Sequence, residues 1–189
     1  MKTILILLTL FFYSGSQMTM EEAVKGTKAP KDLLDSLVLL NVKHYDLNGE
    51  VKVGQIVINK SIEKDAREIF EMMFEMKFPI EKMEPIVLYD WDDNKSMEAN
   101  NTSAFNYRFI AGTNRLSNHS FGRALDINPR MNPVYYNDGR MSPPNGTRDT
   151  TLPGTFHKDH PIVKEFKKRG FRWGGDWNSL KDYHHFDRP

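Results

Sequence analysis

Two apolar-rich runs, Leu37 to Tyr45 and Val51 to Ile58, are separated by Asn48-Gly49, and no other feature constrains the fold as strongly. Both turn residues tolerate positive φ, so this pair between such runs predicts a tight β-hairpin. A helix is expected next, over about 61–77. There Ile62, Ala66, Ile69, Phe70, Met73 and Phe74 recur at helical spacing, and Pro79 stops the pattern. The Met and Phe stripe on this helix reads as core. Pro85 to Tyr89 reads as a short strand, Asp90 to Ser103 as a polar loop, and 105–110 and 124–127 as further strands. Residues 131–158 are rich in Pro, Gly, Asn and Thr around Pro143-Pro144-Asn145-Gly146, and read as a long surface insertion of the kind that serves as a lid or rim. Pro161 to Arg169 predicts a second helix, with proline in its first turn and Gly170 just past its end, and Phe171 to Trp173 returns as a strand. Strands outnumber helices without any βαβ rhythm. The expected class is therefore α+β, a small, mostly antiparallel sheet with flanking helices.

A length of 189 residues suits one domain, and 39% apolar residues are enough to build its core. The 26 basic side chains are balanced by 25 acidic ones, which argues against a nucleic-acid binder, since that class carries a basic excess or stripe. The chain has no cysteine. Disulfide scaffolds, thiolate metal sites and thiol nucleophiles are thereby excluded, and any metal must be held by His, Asp or Glu. At the N-terminus, Lys2, the apolar run Ile4 to Tyr13 and the small residues Ser14-Gly15-Ser16 have the layout of a secretory signal peptide over 1–16. The run is shorter than the ~20 residues that a spanning helix needs. The chain is expected to be exported, with no membrane span after cleavage. Residues 17–32 read as a lead-in, and 33–189 as the functional domain.

The chemistry concentrates in Ser117-Asn118-His119-Ser120-Phe121-Gly122-Arg123-Ala124-Leu125-Asp126. A neutral imidazole and a carboxylate converging on one cation suit zinc, which accepts both at about 2.0–2.2 Å. Side chains seven apart on one continuous strand would face opposite ways, but Gly122 lets the chain turn between His119 and Asp126. Asp126 lies between Leu125 and Ile127, an apolar flank that buries its charge, and buried carboxylates are costly unless paired or metal-bound. Near the C-terminus, Asp182-Tyr183-His184-His185 offers a carboxylate and an imidazole three apart, a source for a third ligand and for a group that addresses water; His184 and His185 are rivals there. Three protein ligands plus water is the layout of a catalytic zinc site. No H-E-x-x-H helix and no G-x-S-x-G elbow is present. His157 and His160 are also three apart, at the foot of the 131–158 segment, and read as the start of a helix rather than as a second metal site. Asp176 reads as a turn residue, and Trp173 and Trp177 as core packing.

S-x-H-x-x-G-x-A-x-D over 117–126, followed by D-x-x-H-F over 182–186 and preceded there by Trp173-Gly174-Gly175-Asp176-Trp177, resembles the zinc D-alanyl-D-alanine carboxypeptidase and L-alanyl-D-glutamate endopeptidase family. That family shares its fold with lysostaphin-type and hedgehog domains. The resemblance extends from about residue 50 to the end. It implies one Zn2+ ion held by His119, Asp126 and His185, with the phase from Asp182 and the following Phe186 favouring His185 over His184. It also implies Asp182 as general base and Arg108 as the residue that steadies the carbonyl oxygen of the substrate, with Ser117 beside the ligand to contact the peptide. Many members use Glu where this chain has Asp182, one methylene shorter. The implied substrate is a peptidoglycan stem peptide, cut as a monomeric enzyme in the periplasm, cell envelope or medium by activated water and without a covalent intermediate. The 131–158 segment would decide between trimming a terminal D-alanine and cutting the internal L-alanyl-D-glutamate bond. The competing reading is a zinc-binding recognition domain of the same fold that has lost catalysis, against which Asp182 argues, because a dead site need not keep a base.

Overall fold

The computed structural model describes residues 17–189, so the leader expected over 1–16 lies outside the described residues. In chain order the elements are α1 (Met20–Ala23), α2 (Lys31–Asp35), β1 (Leu37–Tyr45), β2 (Val51–Asn59), α3 (Glu63–Glu75), β3 (Lys82–Met83), α4 (Asp93–Glu98), β4 (Asn101–Thr102), β5 (Ala124–Asp126), β6 (Val134–Tyr136), β7 (Met141–Ser142), α5 (Pro161–Lys168), β8 (Arg172–Trp173), β9 (Leu180–Asp182) and β10 (His185–Asp187). The strands form small sheets: the β1-β2 hairpin, β5-β10-β8, β7-β6-β9, and the parallel pair β3-β4. All the other pairings are antiparallel, and the fold is α+β as expected.

The hairpin pairs Leu37 with Asn59 through to Tyr45 with Val51, so the Asn-Gly turn closes it in register. Its buried Leu40, Ile56 and Ile58 pack against Ala66, Ile69 and Met73 of α3, the face that the helical spacing marked as core. α5 completes that core with Ile162, Val163 and Phe166. The Phe166 ring stacks on Phe186 with centroids 4.1 Å apart, and full burial of such a side chain contributes about 1.5–3 kcal/mol. β10 is thereby anchored to the core through the residue next to His185. Arg188 fastens its end, donating to Asp65 of α3 at 2.7 Å and to the Ser61 carbonyl at 2.7 Å.

Several local expectations are corrected. Ile86–Tyr89 is a 3-10 turn rather than a strand. Only Ile86 of this apolar run finds a place in the core, while Leu88 stays 55% exposed, so no sheet edge draws the segment out. The polar loop of 90–103 contains α4, capped by the Asp92 carboxylate, which accepts from Asn94 and Lys95 backbone N–H groups, and it contains β4. Residues 105–110 are not a regular strand. Their backbone bonds go to separate partners, Phe105 N–H to the Val57 carbonyl and Asn106 N–H to that of His119, and only Phe109 bridges to Leu116. Residues 131–158 also carry β6, which pairs with β9, and buried Asn132 and Phe156. In 17–32, buried Ala23 packs with Leu37, Val57 and Phe105 in a second apolar cluster.

Candidate metal centre

His119 is presented by a 3-10 turn, Asn118–Phe121, whose first N–H groups need a cap. Ser117 provides it: its buried hydroxyl accepts from the His119 N–H at 3.3 Å. This is the role in which the structure holds Ser117. Gly122 ends the turn in the left-handed region at φ 63°, and its carbonyl accepts from the Asn59 N–H at 2.8 Å. A Cβ at Gly122 would lie 2.8 Å from that nitrogen, so both conformation and space call for glycine. The chain then enters β5, where Asp126 sits directly opposite His185 of β10. Opposed residues share a face of the sheet. Alternation sends Leu125 and Phe186 into the core and leaves Asp126 and His185 on the side facing His119.

The three side chains meet in the interior. His185 Nδ1 is 2.9 Å from Asp126 Oδ1, His119 Nε2 is 3.1 Å from Asp126 Oδ2, and the two ring nitrogens are 3.2 Å apart. Burial alone would raise the Asp126 carboxyl, but His119, His184 and His185 around it hold it well below the usual carboxylate range. Burial likewise disfavours a charged His185, yet the Asp126 and Asp187 carboxylates hold its pKa up at about 10. Atoms about 2.0–2.2 Å from one tetrahedral ion lie roughly 3.3–3.6 Å from one another, close to these separations. Two imidazoles and a carboxylate, buried and with their donor atoms turned inward, fit a zinc ion.

The outer nitrogens of both rings have partners that fix their orientation. His119 Nδ1 is 2.6 Å from the Ala104 carbonyl oxygen, which can only accept, so Nδ1 carries the hydrogen and Nε2 the lone pair. His185 Nε2 faces Asp187 Oδ2 at 3.6 Å. Asp187 is itself held by Arg172, at 2.9 and 2.6 Å, and by Asn118 at 2.6 Å, which ties the His119 turn to β10. Burial would raise Asp187, but His185 and Arg172 keep it well below the ordinary value.

Asp182 lies at the end of β9, opposite Val134 of β6. Burial raises its carboxyl above the usual range, against the pull of His184 and His185. Gly174 makes room for it: a Cβ there would run into the Asp182 carbonyl oxygen and come within 2.7 Å of its Cβ. His184 Nε2 is 3.1 Å from Asp182 Oδ1 and 3.9 Å from Asp126 Oδ1, while its Nδ1 donates to the Asn132 carbonyl at 2.8 Å. His184 is thus bonded to Asn132 and turned towards Asp182, and His185 is the ring that joins His119 and Asp126.

The backbone of Arg108 is stitched to the residue after His119. Its N–H donates to Ser120 Oγ at 2.9 Å, and that hydroxyl donates back to the Arg108 carbonyl at 2.7 Å. Its guanidinium is turned to Asp93 of α4, with Nη2 at 2.7 Å from Oδ2. Trp173 is core, donating to the Tyr183 carbonyl, whereas Trp177 is half-buried with its ring 5.2 Å from that of His185, against the expectation of core packing. Asp176 pairs with Lys167 at 2.6 Å, and His160 caps α5 by accepting from the Ile162 N–H. Sequence reasoning missed Asp187, Asn118 and Asn132. The paired Asn-Pro steps at 128–129 and 132–133 were the available signal for Asn132, since a buried asparagine beside a proline marks a backbone that its amide must satisfy.

No solved structure matches the chain. A family model described as D-alanyl-D-alanine carboxypeptidase matches residues 111–188, a span that contains His119, Asp126, Asp182 and His185 and begins after Arg108. Over that span the chain is similar to the D-alanyl-D-alanine carboxypeptidase family of peptidases.

Proposed function

We propose that the protein is an exported zinc peptidase that trims the terminal D-alanine from peptidoglycan stem peptides, with 1–16 as its leader and 33–189 as its peptidase domain. The observation that carries this reading is the convergence of ligand atoms from His119, Asp126 and His185, all within 4.8 Å of one another and all buried. No helix among the described residues is long and apolar enough to cross a membrane.

When bound by these three residues, zinc supplies a Lewis acid that makes water nucleophilic near neutral pH and polarises a carbonyl. Asp182 accepts the proton of the attacking water and delivers it to the departing amine. Its raised affinity for a proton suits that exchange, because a base works best when its pKa approaches the operating pH. Arg108 swings from Asp93 to the oxyanion, where a fixed positive charge does most when charge develops. His119 and His185 keep their lone pairs inward because the Ala104 carbonyl and the Asp187 carboxylate occupy their outer nitrogens.

Purified muropeptides incubated with zinc-loaded protein and analysed by mass spectrometry test the reading. The expected product has lost one C-terminal alanine, the activity disappears with a chelator, and added zinc restores it. Cleavage between L-alanine and D-glutamate would shift the assignment to the endopeptidase branch. No turnover of any muropeptide would leave a zinc-binding recognition domain.

A further inference from the structure

His184 is the one buried imidazole of the site that the proposed reaction does not use. Its ring is almost fully enclosed, with 3% of the side chain exposed. One nitrogen is committed, since Nδ1 donates to the Asn132 carbonyl oxygen at 2.8 Å. Asn132 is an unusually firm support. Its amide nitrogen donates to the Gly154 carbonyl at 2.9 Å and its amide oxygen accepts from the Phe156 N–H at 2.7 Å, so it knits two parts of the 131–158 segment together beneath the ring. The other nitrogen, Nε2, lies 3.1 Å from Asp182 Oδ1.

That oxygen is buried and makes no hydrogen bond of good geometry. Leaving a buried carboxylate oxygen without a partner costs about 1–3 kcal/mol or more, and its nearest basic side chain is His184. Asp182 nonetheless keeps 15% of its side chain exposed, and since Oδ1 is sealed off, that exposure lies on the side of Oδ2. The carboxyl is thus divided: one oxygen turned into the protein against His184, the other left for solvent.

We propose that His184 is a positioning residue for Asp182: anchored on Asn132, its ring is fixed 3.1 Å from Oδ1 and so holds the carboxyl with Oδ2 turned to the reacting water. The inference rests on the reading of Asp182 as the general base. It distinguishes His184 from a metal ligand, because its inner nitrogen is nearer to Asp182 than to Asp126, by 3.1 against 3.9 Å. It also gives the 131–158 segment a catalytic consequence, since Asn132 carries the contact.

The test is a double-mutant cycle on zinc-loaded full-length protein, read as muropeptide hydrolysis. His184→Leu should lower kcat roughly 10–100-fold, the scale on which misaimed groups fail, with KM and zinc stoichiometry unchanged. His184→Gln, whose amide has two N–H donors, should recover most of the loss. In an Asp182→Asn background, His184→Leu should bring no further loss, because the partner through which it acts has gone. Equal losses in both backgrounds, or loss of zinc in His184→Gln, would overturn the proposal. A crystal structure of the zinc-loaded wild type judges the contact without turnover: His184 Nε2 within about 3.2 Å of the Asp182 carboxyl is required, and a ring turned away from it refutes the proposal even if the enzyme is active. A wild-type protein inert on every muropeptide would instead refute the functional reading.

Discussion

Asp182 and His185 stand three residues apart, yet the fold places them in different surroundings, which suits the proposed roles of base and ligand. His185 faces Asp126 across a strand pair, whereas Asp182 belongs to another sheet and faces His184. Asp182→Asn keeps shape and polarity but removes the proton acceptor, so zinc content should stay near normal while hydrolysis falls about 10²–10⁴-fold. Asp182→Glu should keep appreciable activity. Loss of zinc from Asp182→Asn, measured by elemental analysis, would make the residue a ligand and contradict this division. Asp187 would act on a bound metal at one remove. Because it faces the outer nitrogen of His185 and is braced by Arg172 and Asn118, Asp187→Asn should weaken zinc binding about 10–100-fold, the usual loss when such a support is removed. Competition with a zinc chelator reads this directly, and an unchanged affinity would remove Asp187 from the metal site.

At the scale of elements, α5 carries a pH dependence of its own. His160 caps the helix by accepting from the Ile162 N–H, which requires a ring without a proton on Nδ1, and it is packed edge-on against Phe78 and Phe156. Burial, helped by nearby His157, lowers its pKa to about 4. The folded value lies below the unfolded value of about 6.5, so the unfolded chain takes up the proton first. The stability that neutral His160 contributes is therefore complete above about pH 6.5 and is lost as pH falls towards 4. A shift of that size corresponds to about 3 kcal/mol, and solvent access to the ring reduces this to about 1–2 kcal/mol. Thermal melts between pH 7 and 4 should fall more steeply for wild type than for His160→Asn, which keeps a capping side chain and cannot titrate. Parallel curves would contradict the assignment. The elements that sequence alone revealed are those made by neighbours: the Asn48-Gly49 hairpin, α3 by its 3.6-residue stripe, α5 by its proline and Gly170. Residues 85–89 and 105–110 carry the same apolar signal as strands, but no continuous edge is there to receive them. That depends on distant parts of the chain, which local pattern does not contain. His119, Asp126 and His185 were legible because their spacing is tied to a Gly turn and a terminal motif. Asp187, Asn118 and Asn132 were not, because what they do depends on β10 lying beside β5 and beneath the His119 turn.

Over the whole molecule, the charge that the site buries is balanced locally, and the chain as a whole is close to neutral, with a formal net charge of +1. Removal of residues 1–16 takes away Lys2 alone, leaving 25 basic against 25 acidic residues, from 26 − 1 and 25 − 0. From Met18 onward the chain is tied to the hairpin, its backbone N–H and carbonyl both bonded to the Gln55 side chain at 2.8 and 3.0 Å. Protein expressed in a bacterial host and recovered from the periplasm or medium should therefore begin near Gln17, read by N-terminal sequencing. Recovery of full-length chain alone, in the envelope fraction, would contradict export with cleavage. Three ligands leave the proposed metal site no redundancy. Elemental analysis of purified protein tests it most directly. One zinc per wild-type chain is expected and none in His119→Ala, Asp126→Ala or His185→Ala, with His184→Ala still loaded. A His185→Ala protein that keeps stoichiometric zinc while His184→Ala loses it would make His184, not His185, the third ligand.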